Sequence, residues 1–493
     1  MTQQTLKRTM PAGAHTGWSV LLSVGILGAC SSTAPYQVPF LDVDHVTTLP
    51  SAVQADALGA AAQPGVPPAL WWMHWGDAQL ATLIQLAWIN NYDLRVSVAR
   101  LAAARAQSQV AQATGRPGIM LEGGASHTRQ AAVESRSGTA GIADPQQWSA
   151  TLAWELDLFG RARSSVDAAQ ASAQERAALR DDVRRLALAQ VVDAYLALRG
   201  AQMLRTSLLQ QLDNQASTLQ LVREREGAGS AAPAERLRYE AQLGLVRARL
   251  PSFLAQERAA RNRLATLTGL RLDAPQLVAL GQPTILQLPQ TLVTDEPARL
   301  LLRRPDVRAA ERALAAATAR AGMAQADLFP RVSLSALLGN AGVVGDWLSS
   351  DTTRWRAEAG LMWPLFDAGA GRARLRAAGA DVQAARANFD KAVAQALEET
   401  DTAISNWVQL RTRHAELVTA HGMAQEGERL THLRYQEGAE SLLGVLEAQR
   451  IALATEEQLV GAQRDLGLAT AQCYVAMAGG FDVGEADAKP RAP

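Results

Sequence analysis

Two long stretches without proline set the strongest limit on how this chain can fold. Arg161–Glu226 and Ala370–Tyr435 each span 66 residues, and only Gly200 interrupts the first. A helix of that length would extend about 100 Å at 1.5 Å per residue, whereas helices in globular proteins average roughly 11 residues. Helices this long need equally long neighbours to pack against, as in coiled coils. The sequence therefore favours a tube of helices over a compact enzyme domain.

The chain also repeats itself once. Five short segments recur in the same order at offsets of 207 to 213 residues. They are 101–104 with 314–317, Pro117 with Pro330, 154–156 with 363–365, 226–228 with 437–439, and 240–242 with 447–449. Such self-similarity indicates a duplicated unit. Each unit is predicted to contain a helix, two strands, a long helix and a further helix; the units are 86–270 and 301–478, joined by a linker at 271–300.

The predicted strands alternate apolar and polar residues. They cover about 118–128 and 147–158 in the first unit, and about 330–339 and 354–366 in the second. This alternation is typical of barrel strands with lipid on one side and water on the other. Tryptophans lie at or near the strand ends, as in an interfacial aromatic girdle: Trp148, Trp154, Trp355 and Trp363. They argue against the alternative, a soluble sheet with one wet face. Since known barrels have about eight strands or more, several chains would have to share one.

The N-terminus has the build of a secretory signal peptide, predicted to span 1–29. Lys7 and Arg8 precede an apolar run at 18–27, too short for a bilayer, which needs about 20 residues. The run ends in Leu-Gly-Ala-Cys, which resembles the lipobox of bacterial lipoproteins, so Cys30 is predicted to carry N-acyl and S-diacylglycerol lipid. In those lipoproteins an aspartate after the cysteine favours inner-membrane retention, so Ser31 favours the outer membrane. An ordinary signal peptide with a chance cysteine is the alternative.

Composition argues against several functions. The formal net charge is zero, which gives no electrostatic case for a nucleic-acid partner. No other segment has 18 uninterrupted apolar residues, so no transmembrane helix is predicted. His414, His421 and His432 share a helical face, but spacings of about 10 and 16 Å along a helix are too wide for one zinc ion. The 369–371 glycine motif lacks the third glycine of a dinucleotide loop. We therefore expect no catalytic residue, metal site or cofactor apart from the lipid, and we expect Cys473 to lie in the core.

Several short motifs resemble those of a known protein family. They include Trp71-Trp72, Trp75-Gly76-Asp77, Asn90-Asn91-Tyr92-Asp93-Leu94, 154–161, Arg303-Arg304-Pro305-Asp306, 327–331, 363–369, 434–438 and 446–450. In this order, over roughly 71–480, the chain resembles the TolC/OprM-type outer-membrane factor family. Together with the lipobox, the motifs place it near the lipoprotein, NodT-like branch of that family.

The resemblance implies a mainly α fold with a small membrane β-barrel. Three copies would form a 12-stranded β-barrel continuous with a 12-helix α-barrel in the periplasm. Residues 30–85 would form the lipidated N-terminal segment and, with the 271–300 linker, an equatorial region, followed at the end of the chain by a tail at 479–493. The implied function is a passive exit duct for drugs or other small toxic compounds. Its implied partners are a periplasmic adaptor and an inner-membrane transporter, of the RND type in the lipoprotein branch.

The same resemblance places a gate and an adaptor-docking site at a periplasmic tip. The tip would lie at Tyr435 to Gly438, with Glu226-Gly227 as its counterpart in the first unit. Glu437, Glu440 and Glu447 lie nearby; on a threefold axis each inward acid would become a ring of three. The alternative is that these acids are solvated helix-end charges. The family often has an acid where this chain has Gly444.

The two tips also differ in spacing between matched segments. Gly227 to Glu240 is 13 steps, but Gly438 to Glu447 is nine. The difference predicts four extra residues around 230–233, which would change how an adaptor fits.

Two other functions stay open at this level. One is a duct for metal efflux or for type I protein secretion. The other, of a different class, is a structural coiled-coil lipoprotein without a pore, which the alternating strands disfavour. Nothing in the sequence identifies the cargo.

Overall fold

The computed structural model describes residues 36–38, 62–64, 68, 70–133, 140–281, 291–294, 303–343 and 350–477. The chain divides into two compact units. The first comprises Met1–Pro39, Ala102–Gln174 and Glu311–Asn388, and the second comprises Phe40–Leu101, Glu175–Ala310 and Phe389–Pro493. The predicted signal peptide, Cys30, Ser31 and the predicted tail at 479–493 lie outside the described residues.

The described elements are numbered in chain order. The helices are α1 Ala78–Asn90, α2 Tyr92–Thr114, α3 Arg161–Gly227, α4 Pro233–Arg247, α5 Leu250–Thr268, α6 Pro275–Val278, α7 Pro305–Ala326, α8 Ala370–Gln436 and α9 Leu442–Ala476. The strands are β1 Ala62–Pro64, β2 Gly118–Ala125, β3 Thr128–Gln130, β4 Gly141–Ala143, β5 Pro145–Leu156, β6 Leu292–Thr294, β7 Arg331–Val343 and β8 Thr353–Met362.

The first unit is built around a four-stranded antiparallel sheet. Its order is β2-β5-β7-β8, so strands from the two sequence repeats lie side by side. Leu152 of β5 pairs with Ile119 of β2 and with Ala336 of β7, and Ala336 in turn pairs with Ala357 of β8. Among the described residues, β2 and β8 each pair in this sheet on one side only. The sheet is therefore open at both edges.

The strand ends depart from the predicted ones. β2 ends at Ala125 rather than 128, β5 at Leu156 rather than 158, β7 at Val343 rather than 339, and β8 at Met362 rather than 366. β5 stops early because Asp157 turns to accept hydrogen bonds from Ala162 N and Arg163 N, each at 2.9 Å, at the start of α3. β8 stops two residues before Pro364, which has no N–H for a ladder.

The long helices are one residue longer than the two proline-free stretches suggested. α3 and α8 each contain 67 residues. Each follows a glycine with positive φ, Gly160 (82°) or Gly369 (89°), which allows the sharp turn from strand to helix. Asp367 repeats the role of Asp157, accepting from Gly369 N at 3.0 Å and Gly371 N at 2.5 Å.

The last helix of the predicted repeat differs between the two halves. In the second half α9 is continuous over 35 residues. In the first half the helix breaks after Arg247, and α5 starts at Leu250 with Pro251 in its first turn. Proline is tolerated there because the first helical N–H groups have no partner in the helix. A single proline thus divides one helix into two.

The second unit has its core around a tryptophan-rich segment. Trp71 and Trp75 are 1% exposed, and Trp71 stacks on Tyr474 with ring centroids 5.2 Å apart. Asp77 caps α1 through Gln79 N and Leu80 N, and its other carboxylate oxygen accepts from the hydroxyl of Tyr195. β1 pairs in parallel with β6. None of the described helices is both long and apolar enough to cross a membrane.

Candidate functional site

Directly paired residues of neighbouring strands lie on the same face of a sheet. By this rule the sheet of the first unit has one mainly apolar face and one mainly polar face. The apolar face carries Ile119, Leu121, Trp148, Ala150, Leu152, Trp154, Val332, Leu334, Ala336, Leu338, Trp355, Ala357, Ala359 and Leu361. The other face carries mainly polar residues, Glu122, Ser149, Thr151, Ser333, Ser335, Arg354, Arg356 and Glu358, together with Met120, Ala153, Leu337 and Met362. Ile119, Leu121 and Trp355 are 74–78% exposed. An apolar surface of this extent requires a non-aqueous neighbour.

Three tryptophans of the sheet lie on this face, and Trp363 directly follows the end of β8. β5 and β8 run in the same direction, so Trp148 and Trp355 lie near one end of the sheet and Trp154 and Trp363 near the other. The six steps from Trp148 to Trp154 correspond to about 20 Å at 3.3 Å per residue, close to the roughly 25 Å apolar band of membrane barrels. The indoles of Trp154 and Trp363 donate to the carbonyls of Gly115 and Leu328, each at 3.2 Å.

The turn after α3 is closed by three backbone hydrogen bonds. Ala228 N donates to Glu224 O at 3.0 Å, Gly229 N to Glu226 O at 2.9 Å, and Ser230 N to Arg225 O at 2.9 Å. Gly229 has φ 74°, a conformation that favours glycine.

The turn after α8 repeats this pattern with every residue number 209 higher. Glu437 N, Gly438 N and Ala439 N donate to the carbonyls of Leu433, Tyr435 and Arg434 at 3.1, 3.0 and 2.8 Å. Gly438 has φ 76° and therefore corresponds to Gly229.

The assignment of Glu226-Gly227 as the counterpart of the second turn is therefore wrong by two residues. In the structure Tyr435 corresponds to Glu226, whereas the sequence match had paired Glu226 with Glu437. The predicted four extra residues at 230–233 are also wrong, because α4 begins six residues after the end of α3 and α9 six residues after the end of α8. Matching letters in an alanine-rich sequence misplaced the repeat, whereas the positive-φ glycine and its hydrogen bonds locate it.

The real four-residue difference lies between the paired strands. α2 and α7, and likewise β2 and β7, begin 213 residues apart, but α3 and α8 begin 209 apart. The first repeat is therefore longer between its two strands. The connection between β2 and β5 in the first repeat contains the small β3–β4 hairpin.

Arg225 joins the two turns. Its Nη2 donates to Tyr435 O at 3.1 Å, and its Cζ lies 4.5 Å from the centroid of the Tyr435 ring. The same Nη2 lies 3.7 Å from where a Cβ on Gly438 would be. Tyr435 itself is 2% exposed. It packs in a small apolar core with Leu219, Val222, Tyr239, Leu243, Leu442 and Val445.

Comparison with known proteins identifies the family. The family model described as "Outer membrane efflux protein" matches residues 83–270 and 297–479. The chain belongs to the outer membrane efflux protein family.

Individual relatives agree over most of the chain. The outer membrane protein OprJ of Pseudomonas aeruginosa is 32% identical over 480 residues, covering 95% of this chain and 96% of OprJ. The pyoverdine export outer membrane protein OpmQ of the same species is also 32% identical over 480 residues, covering 94% and 96%. The solved outer-membrane channel OprN aligns with a TM-score of 0.82 at 32% identity, covering 92% of this chain and 99% of OprN. The chain is therefore an efflux channel of the bacterial outer membrane, with the fold of these channels.

The acids that the sequence singled out for this channel have different surroundings. Glu447 pairs with Arg450 at 2.6 Å, and this hydrogen bond holds the pKa of Glu447 below its usual range. Glu226 pairs with Arg236 of α4 at 2.9 Å. Glu437 is exposed beside Gly438.

Glu440 lies beside Gly444, the position at which the family often has an acid. A Cβ on Gly444 would lie 2.7 Å from Glu440 Oε1. The same oxygen accepts from Ser441 N at 2.9 Å. The carboxylate at 440 therefore takes up the volume that a side chain at 444 would enter.

Sequence reasoning missed two charged residues near the turns. No local pattern marks Arg225, because its hydrogen-bond partner Tyr435 is 210 positions away in the chain. Its equivalence with Arg434 becomes visible only once the 209-residue offset is known. Glu428 of α8 is the other: burial, and then repulsion from Glu456, raises its pKa.

The two remaining sequence predictions concern a cysteine and three histidines. Cys473 is 0% exposed, as predicted, and its Sγ donates to Ala403 O at 3.2 Å. Burial raises its pKa to about 12. Among the described residues no three His, Cys, Asp or Glu side chains are grouped to hold a metal. His421 instead lies 3.5 Å from the Thr455 hydroxyl.

Proposed function

We propose that this channel is the passive exit duct of a tripartite efflux pump for drugs or other small toxic compounds. Three copies would form it, and a periplasmic adaptor and an inner-membrane transporter, of the RND type, would feed it. The observation that carries the proposal is the open amphipathic sheet, apolar and exposed on one face and polar on the other. On this proposal the chain is a conduit and not an enzyme.

The open sheet supports assembly from several copies. Unpaired backbone groups cannot face lipid, so a spanning sheet must close on itself. Four strands per copy and three copies give 12 strands, within the range of known barrels. The apolar face would then meet lipid and the polar face would line a water-filled lumen.

The two turns are the proposed gate and adaptor-docking site. Each is a compact, hydrogen-bonded projection between two helices, and Arg225 fixes the first turn to the second within one copy. Closure would bring the acids of three copies together. Rings of like charge repel one another and select for cations. The gate is therefore proposed to rest on a balance between the Arg225 contact and acid repulsion.

The lipid on Cys30 is proposed as a second membrane anchor. Six residues later, Tyr36 donates to Glu311 Oε1 at 2.8 Å and packs against Ala171, Ala315 and Ala316 of the first unit. A six-residue segment spans at most about 20 Å. The contact at Tyr36 thus ties the N-terminal segment to the unit that carries the apolar sheet. Incorporation of labelled palmitate into the native chain but not into Cys30→Ser would support the anchor, and equal labelling would contradict it.

Conductance tests the duct itself. The purified full chain in planar bilayers should form pores whose open time decreases when Glu437 and Glu440 are both replaced by Gln, because repulsion that opposes closure is removed. Absence of any conductance in native and substituted protein that is otherwise folded would contradict the proposal. Deletion of the gene followed by a panel of drugs and metal salts tests the cargo. Sensitivity to metals alone would replace drug efflux by metal efflux.

A further inference from the structure

One polar side chain from each of four helices lies at the same distance from the two turns. Thr218 of α3 and Tyr239 of α4 are eleven and ten residues from the positive-φ glycine of the first turn. Glu428 of α8 and Gln449 of α9 are ten and eleven residues from that of the second turn. Because Arg225 holds the two turns together, all four lie at one level, about 15 Å along the helices at 1.5 Å per residue. We call these four residues the polar layer.

The Tyr239 hydroxyl lies at the centre of the polar layer. Burial raises the pKa of Tyr239. Contacts with Thr218 and Gln449 lower it in part, and the nearby Glu428 and Tyr435 raise it, so all four groups face this hydroxyl. Except for Glu428, which is half-buried, these side chains are at most 5% exposed. The same four helices share the small apolar core around Tyr435, so the polar layer lies inside the helix bundle.

Four buried oxygen atoms in or beside the polar layer have no hydrogen-bond partner among the described residues. They are the hydroxyls of Tyr239 and Tyr435 and the Oε1 atoms of Gln215 and Gln449. Gln215 lies three residues before Thr218 on α3 and is 1% exposed. Thr218 and Gln449 approach the Tyr239 hydroxyl, but neither completes a hydrogen bond to it. Since a buried polar atom without a partner destabilises the fold, four such oxygens in one place point to a bound species.

The charge beside these oxygens is negative. Burial, and then repulsion from Glu456 of α9, raises the pKa of Glu428. Among the described residues, neither Glu428 nor Glu456 pairs with a basic side chain. An anion beside buried oxygen atoms is stable only if a positive charge accompanies it. A proton would neutralise Glu428 but leave the other oxygens unpaired, and a water molecule would pair with them but leave the charge, whereas a metal cation meets both requirements.

We propose that the polar layer binds a hard cation, and that Ca²⁺ is the best match. Ca²⁺ takes roughly 6–8 oxygen ligands in flexible geometry, whereas Mg²⁺ demands a near-ideal octahedron and keeps several waters. Glu456, Gln215 and water would complete the ligands. Most of them are neutral oxygens, so the site differs from a group of three His, Cys, Asp or Glu side chains, of which the described residues contain none. The ion would join α3 and α4 to α8 and α9 within one copy, so the inference does not depend on the proposed assembly or on the duct.

Equilibrium dialysis against radioactive Ca²⁺ tests the site directly. The purified full chain, first freed of divalent cations with a chelator, should bind one Ca²⁺ per chain in a saturable manner at fixed ionic strength. Its melting temperature should rise with the Ca²⁺ concentration, because an ion that binds only the folded chain stabilises it. Mg²⁺ and Na⁺ at matched ionic strength should bind more weakly and shift the melting temperature less.

Three substitutions remove individual ligands. Glu428→Gln should weaken Ca²⁺ binding at least about tenfold, although without Ca²⁺ it should be the more stable protein because an uncompensated charge is gone. Tyr239→Phe and Gln449→Leu remove neutral oxygens without changing the net charge, and each should weaken binding roughly tenfold. Glu426→Gln is the matched control: Glu426 lies on the same helix, is exposed and pairs with Arg429 at 2.7 Å, so this variant should keep the native affinity.

Each outcome decides for or against the site. Binding that is lost in Glu428→Gln and weakened in both neutral variants, each of which still melts cooperatively, would support it. An equal loss in Glu428→Gln and Glu426→Gln would indicate general attraction of cations to acidic helices and would overturn it. Absence of saturable binding to the folded native chain, or native affinity in both neutral variants, would also overturn it and leave only water in the polar layer. Tighter binding of Mg²⁺ or Na⁺ with the same losses would overturn the choice of Ca²⁺ and support a cation site.

Discussion

Replacing Arg225 by methionine should favour the open state of the channel. Methionine keeps much of the aliphatic length but removes the hydrogen bond to Tyr435 O at 3.1 Å and the cation over the ring at 4.5 Å. A hydrogen bond from a charged group is worth about 1.5–3 kcal/mol and an exposed cation–π contact about 0.5–1 kcal/mol. Arg225 is half-buried, so solvent screening lowers the sum to about 1–3 kcal/mol.

That loss has a measurable consequence if the contact exists only in the closed state. A difference of 1–3 kcal/mol changes an equilibrium roughly 5- to 150-fold in each copy. The assay is the open probability of single channels in planar bilayers at fixed salt, for native protein and Arg225→Met. We expect a rise of at least about fivefold, the lower end of that range.

Arg223→Met is the matched control. Arg223 lies two residues earlier on the same helix and pairs with Glu240 of α4 at 2.9 Å, so its loss affects only the first turn. Its open probability should stay near the native value. An unchanged Arg225→Met channel, or an equal rise in both variants, would refute the idea that Arg225 holds the two turns together in the closed state.

Three further predictions concern stability and reactivity. Burial and the nearby Glu456 raise the pKa of Glu428 above its unfolded value, so ionised Glu428 destabilises the folded protein. Glu428→Gln should therefore melt at a higher temperature than the native protein at pH 7.5, and this gain should vanish as the pH falls below the ordinary glutamate range. The control Glu426→Gln should show no gain, because Arg429 lowers the pKa of Glu426. The Cys473 thiol should resist maleimide at pH 8 until the protein is denatured, since it is buried with a pKa of about 12; rapid labelling of native protein would contradict this. Arg304→Met should lower the free energy of unfolding by about 1.5–3 kcal/mol in denaturant titrations, since its fully buried guanidinium donates hydrogen bonds to Asp306 and Glu399, which stay partly in solvent; a loss below about 1 kcal/mol would contradict it.

Much of the local structure could be predicted from the sequence. Helix formation depends on contacts three or four residues apart, so the absence of proline was enough to predict α3 and α8. The two-residue alternation around Trp148 and Trp154 likewise assigned the faces of β5, because side chains on a strand alternate by geometry alone. The strand ends were less predictable, since they depend on Asp157 capping a helix and on which edges have partners.

The position of the repeat was only approximate in the sequence and became definite in the structure. The Glu-Gly-Ala segment at 226–228 recurs at 437–439 by coincidence, two residues away from the position that corresponds to it in the structure. Residue identity alone does not show the backbone φ of a glycine. Gly229 and Gly438 identify the true correspondence because both adopt the left-handed conformation in the same hydrogen-bonded turn. With this correspondence, the four extra residues of the first repeat lie in the connection between its two strands and not in the turn after the long helix.

The sequence alone determined the family, the long helices and the amphipathic strands, because each is written in local periodicity or in contiguous motifs. Tertiary structure decided the sheet order, its open edges and the contact between Arg225 and Tyr435. These residues are 210 positions apart in the chain, and their meeting depends on how the two repeats pack. No local pattern encodes that packing, so the candidate gate contact could be found only in the folded molecule.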